Sequence, residues 1–153
     1  MCVFLIEKTV ETVLMVFGLY TEKGLVQDVY QISLERPDSV STINSTPSWA
    51  DMGAAVSVVG NTLYALGIGR AHNELWKFNA ASDWTRCADM TSSRRMHCAA
   101  VVDSTLYTLS GGNGTTLSSS VEAYNTQTNE WSAAGQPTRA VWRAACVSYN
   151  NSI

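Results

Sequence analysis

Residues 121–131 read VEAYNTQTNEW, with Tyr124 and Trp131 seven positions apart and a run of turn formers between them. The polar cluster between two short stretches that each carry an aromatic residue is the pattern of two strands joined by a turn. Earlier in the chain LWKFNAASDW, residues 75–84, has the same order, with Phe78 and Trp84 in the aromatic places. A phrase written twice points to a chain assembled from repeated units.

Working outward from that phrase recovers the rest of the unit. AAVSVVGNTLYALGIG (54–69) and CAAVVDSTLYTLSGG (98–112) both read apolar run, short polar turn, Leu-Tyr-x-Leu and then glycine. Leu63-Tyr64 precedes Leu106-Tyr107 by 43 positions, and Trp84 precedes Trp131 by 47. The head of the chain carries the unit more faintly: VLMVFG (13–18) matches TLYALGIG, and Val29-x-x-Ile32-Ser33 sits 46 positions before Leu75-x-x-Phe78-Asn79. A last copy begins at AACVSYNNSI, 144–153. In the third unit four extended segments are expected near 97–102, 105–109, 120–125 and 130–134, the first two joined by Asp103-Ser104. No window sustains an apolar period of 3.6 over helical length.

Four strands in a period of 43 to 47 residues describe a propeller blade, whose faces must be covered by neighbouring blades. The expected divisions are blade 1 at about 10–48, blade 2 at about 53–90, blade 3 at about 96–138 and the start of a fourth at about 143–153. The first unit is expected to open on its second strand, Val13 to Phe17, with no strand before it. Its outer strand lacks the tryptophan found in the next two units, since Asp38 and Ser39 stand in that place.

Composition narrows the function classes. With 46% hydrophobic and 15% charged residues the chain is too apolar for a disordered one, and a net charge of −3 gives no general attraction to nucleic acid or acidic membrane. The apolar run Cys2 to Ile6 is too short to span a bilayer and lacks the flanks of a signal peptide, so a cytoplasmic location is expected. Cys2, Cys87, Cys98 and Cys146 form no C-x-x-C pair and read as reduced thiols.

The units resemble the Kelch repeat. The residues that carry the resemblance are Ser110-Gly111-Gly112 closing the second strand, Tyr124 and Trp131 in a Y-x6-W spacing, and Arg94 with His97 leading into the third unit. In the second unit Ile68 replaces the first glycine of the pair and Phe78 replaces the tyrosine. The resemblance implies an all-β, Kelch-type propeller, incomplete at about three four-stranded blades plus the start of a fourth. It gives Gly69, Gly111 and Gly112 the tight turns, and sets Phe78, Tyr124, Trp84 and Trp131 between blades. It further implies a longer parent of the BTB–Kelch adaptor type, serving a cullin-type ubiquitin ligase through segments absent from this chain. An actin-binding cytoskeletal Kelch protein is the alternative, and an enzyme of the galactose oxidase kind is a second one.

The residues themselves offer little catalysis. Gly111-Gly112-Asn113-Gly114 lacks a following lysine and a helix, and so reads as a turn rather than a phosphate loop. His72 and His97 have no third ligand at metal-site spacing, so no metal and no cofactor is expected. His97 and Cys98 are adjacent and would point to opposite faces of a strand. The serines sit in no triad pattern, and no catalytic residue is assigned. What stands out is a basic rim. Loops joining second to third strands share a face with the connections between units, and that face would hold Lys23, Arg70, Arg94, Arg95, Arg139 and Arg143 against Glu22, Asp51 and Asp89. Such a rim suits a protein or peptide partner, possibly acidic, with Trp142 as an aromatic anchor. Arg94 and Arg139 could instead brace neighbouring blades, and Trp142 could pack between them.

Overall fold

The computed structural model describes residues 2–8, 11–17, 19–21, 24–26, 29–33, 36, 38, 40–43, 53–79, 83–150 and 152–153. Three four-stranded antiparallel sheets follow one another along the chain. The first contains β1 (Cys2–Lys8), β2 (Glu11–Phe17), β5 (Val29–Ser33) and β6 (Val40–Ile43), with β3 (Leu19–Thr21) and β4 (Gly24–Val26) forming a separate hairpin between β2 and β5. The second contains β7 (Ala55–Val59), β8 (Thr62–Ile68), β9 (Glu74–Asn79) and β10 (Asp83–Arg86). The third contains β11 (Cys98–Val102), β12 (Thr105–Leu109), β13 (Val121–Asn125) and β14 (Glu130–Gly135). In each sheet the strands lie in chain order, and β7 packs beside both β1 and β11, so first strands stand next to first strands. There is no helix among the described residues.

Local chemistry sets the third sheet's register. The Asp103-Ser104 connection closes a hairpin in which Val102 faces Thr105, with Asp103 at φ 55°, a conformation that aspartate tolerates better than most residues. At the other end Asn125 Oδ1 accepts from the amides of Gln127 and Thr128 at 2.9 and 3.2 Å, an Asx turn that brings Tyr124 opposite Trp131. Leu63, Leu66, Leu75 and Leu106 are wholly buried. Tyr64, Leu66, Leu75, Cys87, Met90, Leu106 and Tyr124 form one cluster, so among the described residues a core lies in the joint between the second and third sheets. Each such leucine contributes about 1.5–3 kcal/mol of burial free energy.

Two expectations need correction. The first sheet does not lack an inner strand: Cys2–Lys8 pairs with Glu11–Phe17 from Cys2 opposite Phe17 to Lys8 opposite Glu11. The intervening Thr9 and Val10 are β-branched and carry no turn signal, so the sequence hides this hairpin. Among the described residues of the fourth copy, 144–153, there is no strand, and a bridge joins Tyr149 and Ser152.

Candidate protein-binding rim

In an antiparallel sheet successive connections alternate between the two ends. The β8–β9 loop, the β12–β13 loop and the segments leaving β10 and β14 therefore meet at one end. Backbone hydrogen bonds weld them there. Met90 and Arg94 donate to Asn73 and His72 carbonyls at 2.8 Å each, Arg95 and Gly112 exchange bonds at 2.6 and 3.1 Å, and Gly111 donates to Val141 at 3.1 Å. Arg143 donates to Met96 at 3.0 Å.

On this platform Arg70, Arg139 and Arg143 are exposed, and Trp142 is 52% exposed. The Arg143 guanidinium lies 5.6 Å from the Trp142 ring centroid, a cation–π pair at the rim. Trp142 also lines a cavity of about 160 Å³ with Gly112, Gly114, Thr115, Thr116 and Leu117. Arg95 is half-buried. Asp89 is exposed but answers Arg86 at 2.9 Å, which removes it as a free acid on this side. Lys23, Glu22 and Asp51 lie outside the described residues.

Arg94 does not belong to a partner-binding surface, because its side chain is fully buried. Its Nε and Nη2 donate to Glu122 Oε1 at 3.2 and 2.7 Å. Nη1 donates to the carbonyls of Ser110 and Ser120 at 2.9 Å each, and Nη2 to Ser120 Oγ at 2.5 Å. All five guanidinium protons are thus used. Glu122 in turn accepts from the Thr91 amide at 2.8 Å, the Thr91 hydroxyl at 2.5 Å and the Ser92 amide at 3.2 Å. Burial pushes the Glu122 carboxyl up, but the bonds from Thr91 and Arg94 outweigh it and leave it below its ordinary value. The pair is a brace that fastens the crossing segment to the third sheet.

The aromatic pair of the third sheet serves the same joint. Tyr124 stacks tilted on Trp131 at 5.1 Å and meets Tyr64 of the second sheet edge-on at 6.0 Å. Phe78 and Trp84 pair at 5.2 Å in the second sheet. Trp131 Nε1 donates to the Ala88 carbonyl at 2.9 Å, while Asn129 Oδ1 accepts from the Ala88 amide and the Tyr124 hydroxyl at 2.8 Å each. His97 is buried between two glycines with positive φ. A Cβ on Gly67 would come within 2.5 Å of its ring, and one on Gly111 within 2.7 Å of its own Cβ. Gly67 and Glu122 carry no signal of these roles in the sequence. Both lie inside the repeated stretches, but Ser110 and Trp76 stand in their places in the other unit. Among the described residues no group of three or more His, Cys, Asp or Glu side chains could hold a metal ion.

Comparison with known proteins places this geometry. The Kelch motif model matches residues 93–138, the span from the Arg94 brace to the end of the third sheet. Residues 93–138 form a Kelch motif. It is 28% identical over 141 residues to Kelch-like protein 35 of Homo sapiens, covering 89% of this chain and 24% of that protein. It is 32% identical over 85 residues to an F-box/kelch-repeat protein of Arabidopsis thaliana, covering 54% of this chain and 25% of that protein. The chain therefore spans about a quarter of the length of the curated relatives it matches.

The Kelch joint also carries an acid-sensitive group. Burial, together with the Arg94 charge, lowers the His97 pKa to about 4, with Glu122 only partly opposing. A folded-state value below the ordinary 6.5 means that the unfolded chain takes up the proton first. The stability contributed by neutral His97 is complete above about pH 6.5 and falls as pH drops toward 4, by about 2 kcal/mol at pH 5. Urea unfolding at pH 7, 6 and 5 should show this decline, and His97→Asn should flatten it. Equal stability of the parent chain at pH 7 and pH 5 would contradict the assignment.

Proposed function

We propose that this Kelch chain is part of a protein-recognition propeller whose binding face is the Trp142 rim, and that it has no catalytic role. The observation that carries the reading is the exposed Trp142, paired with Arg143 beside a cavity large enough for one apolar side chain. Arg70, Arg139 and Arg143 add positive charge around that anchor in a chain of net charge −3. A partner with an apolar side chain flanked by acidic residues fits this arrangement. In the parent protein we read the propeller as the cytoplasmic substrate receptor of a cullin-type ubiquitin ligase, following the BTB–Kelch resemblance. One relative's name joins an F-box to its Kelch repeats, so in that protein the repeat accompanies a second module.

Calorimetry with acidic peptides carrying one central Leu or Pro, on the full-length protein, tests the face. Trp142→Ala should cost about 2 kcal/mol or more of binding. Arg70→Ala and Arg143→Ala should cost about 1.5–3 kcal/mol each at low salt and less as salt rises. Asp38, exposed in the turn between β5 and β6 at the other end, is the control and should be neutral. Loss at Asp38 with the rim variants unchanged would put the binding face at the wrong end. Co-purification of a cullin with the full-length protein separates the ligase reading from cosedimentation with actin filaments.

A further inference from the structure

The β12–β13 loop makes a tight turn at the rim. A bridge between Gly112 and Leu117 closes residues 113–116, and the Asn113 amide donates to the Thr116 carbonyl at 3.2 Å. Asn113 through Leu117 are exposed. Asn113 Oδ1 accepts from the Thr115 amide and hydroxyl at 3.0 and 2.8 Å, and from the Thr116 amide and hydroxyl at 2.9 and 3.1 Å. Gly114 follows at φ 97°, with open space where a Cβ would stand. Its amide donates to no group among the described residues. Among the asparagines of the chain only Asn113 precedes a glycine. Asn129, by contrast, precedes Glu130 and is held on Ala88 and Tyr124.

We propose that Asn113-Gly114 is a self-modifying site, at which the Asn113 side-chain amide is lost through a succinimide and the rim gains a carboxylate. The backbone nitrogen after an asparagine reaches the side-chain carbon most readily when its own residue has no side chain to obstruct the approach. The Gly114 nitrogen gives up its proton and bonds to Asn113 Cγ. Charge gathers on Oδ1, where four donors already converge in the manner of an oxyanion hole. The Cγ–Nδ2 bond then breaks, and Nδ2 leaves as ammonia with the proton that Gly114 gave up. Water adds to either carbonyl of the ring and opens it, to aspartate in one direction and isoaspartate in the other. No electron changes hands, and water is the co-reactant. Isoaspartate routes the main chain through the former side chain and so shifts Thr115 and Thr116, which wall the Trp142 cavity. Either product adds a negative charge between Gly112 and Gly114, which line the same cavity. The effect on binding rests on the rim being the partner face; the chemistry of the site does not.

The test holds the full-length protein at mildly alkaline pH in heavy-oxygen water, digests it and maps the peptides by mass spectrometry. The expected result is replacement of NH2 by OH at Asn113 ahead of every other asparagine, with one heavy oxygen taken up. The product should separate into two isomers, one of which a methyltransferase specific for isoaspartate labels. Gly114→Ala should slow the conversion severalfold, and Asn113→Gln should all but stop it, because the larger ring closes less readily. Conversion first at Asn73, Asn125 or Asn150, or conversion of Asn113 only after unfolding in urea, would overturn the site. Asn113→Asp should bind the acidic peptide severalfold more weakly than the parent at low salt. Equal binding by the two would overturn the effect on the rim. A parent that binds no acidic peptide while Asn113 converts would count against the rim as partner face and leave the modification site standing.

Discussion

Arg94→Ala should cost about 3–5 kcal/mol of folding stability, because it strands a buried carboxylate. With the guanidinium gone, Glu122 keeps its bonds from Thr91 and Ser92 but loses its counter-charge, at 4% side-chain exposure. The Ser110 and Ser120 carbonyls lose their donor as well. Glu122→Gln keeps the shape and removes the charge, so it should be milder than the alanine change at Arg94. Replacing both partners by apolar residues of similar volume should recover part of the loss, since the desolvation penalty of two ions disappears. Recovery should stay partial because the Thr91 and Ser92 amides remain without an acceptor. Urea midpoints for the three variants decide the matter. An Arg94→Ala chain within about 1 kcal/mol of the parent would mean that water reaches the brace.

Tyr124→Ala is expected to cost a similar amount, about 3–5 kcal/mol, for a different reason. Its ring is 2% exposed and touches Tyr64 across the joint and Trp131 across its own ladder, so truncation leaves a cavity bounded by both sheets. Tyr124→Phe isolates the polar part. It keeps the ring, loses the bond to Asn129 and should cost about 1 kcal/mol. Asn129 Oδ1 still holds the Ala88 amide in that variant, so the clamp is weakened rather than opened. Thermal melts in which the alanine and phenylalanine variants coincide would show that the ring contributes nothing beyond its hydroxyl.

The third sheet was legible residue by residue because its turns are written in residues with one physical use. Asp103-Ser104 and the Asn125–Asn129 run demand turns, and the strands between them end where those residues begin. The first strand was not legible, since Thr9-Val10 carries no turn signal and reads as more strand between the paired Lys8 and Glu11. The rim was legible as a place and not as a set of roles. Arg94 and Arg95 are adjacent and chemically identical, yet one is sealed and the other half-buried, a difference made by Glu122 coming from 28 positions away. Nothing periodic flags Glu122, because Trp76 stands in its place one unit earlier. Pairwise braces that occur at one joint only are invisible to a reading that works by finding what recurs.

The clamp at Ala88 has a bearing on how such chains diverge. Asn129 and Trp131 hold the amide and the carbonyl of Ala88, and Glu122 holds the amides of Thr91 and Ser92, so most of the grip falls on main chain. Main-chain groups are the same whatever residue carries them. Exposed positions of the crossing segment, such as Asp89 and Ser93, can therefore change while one unit goes on recognising its neighbour. Inheritance acts on the joint through a few gripping residues, and the exposed surface of the connections is released to drift toward new partners.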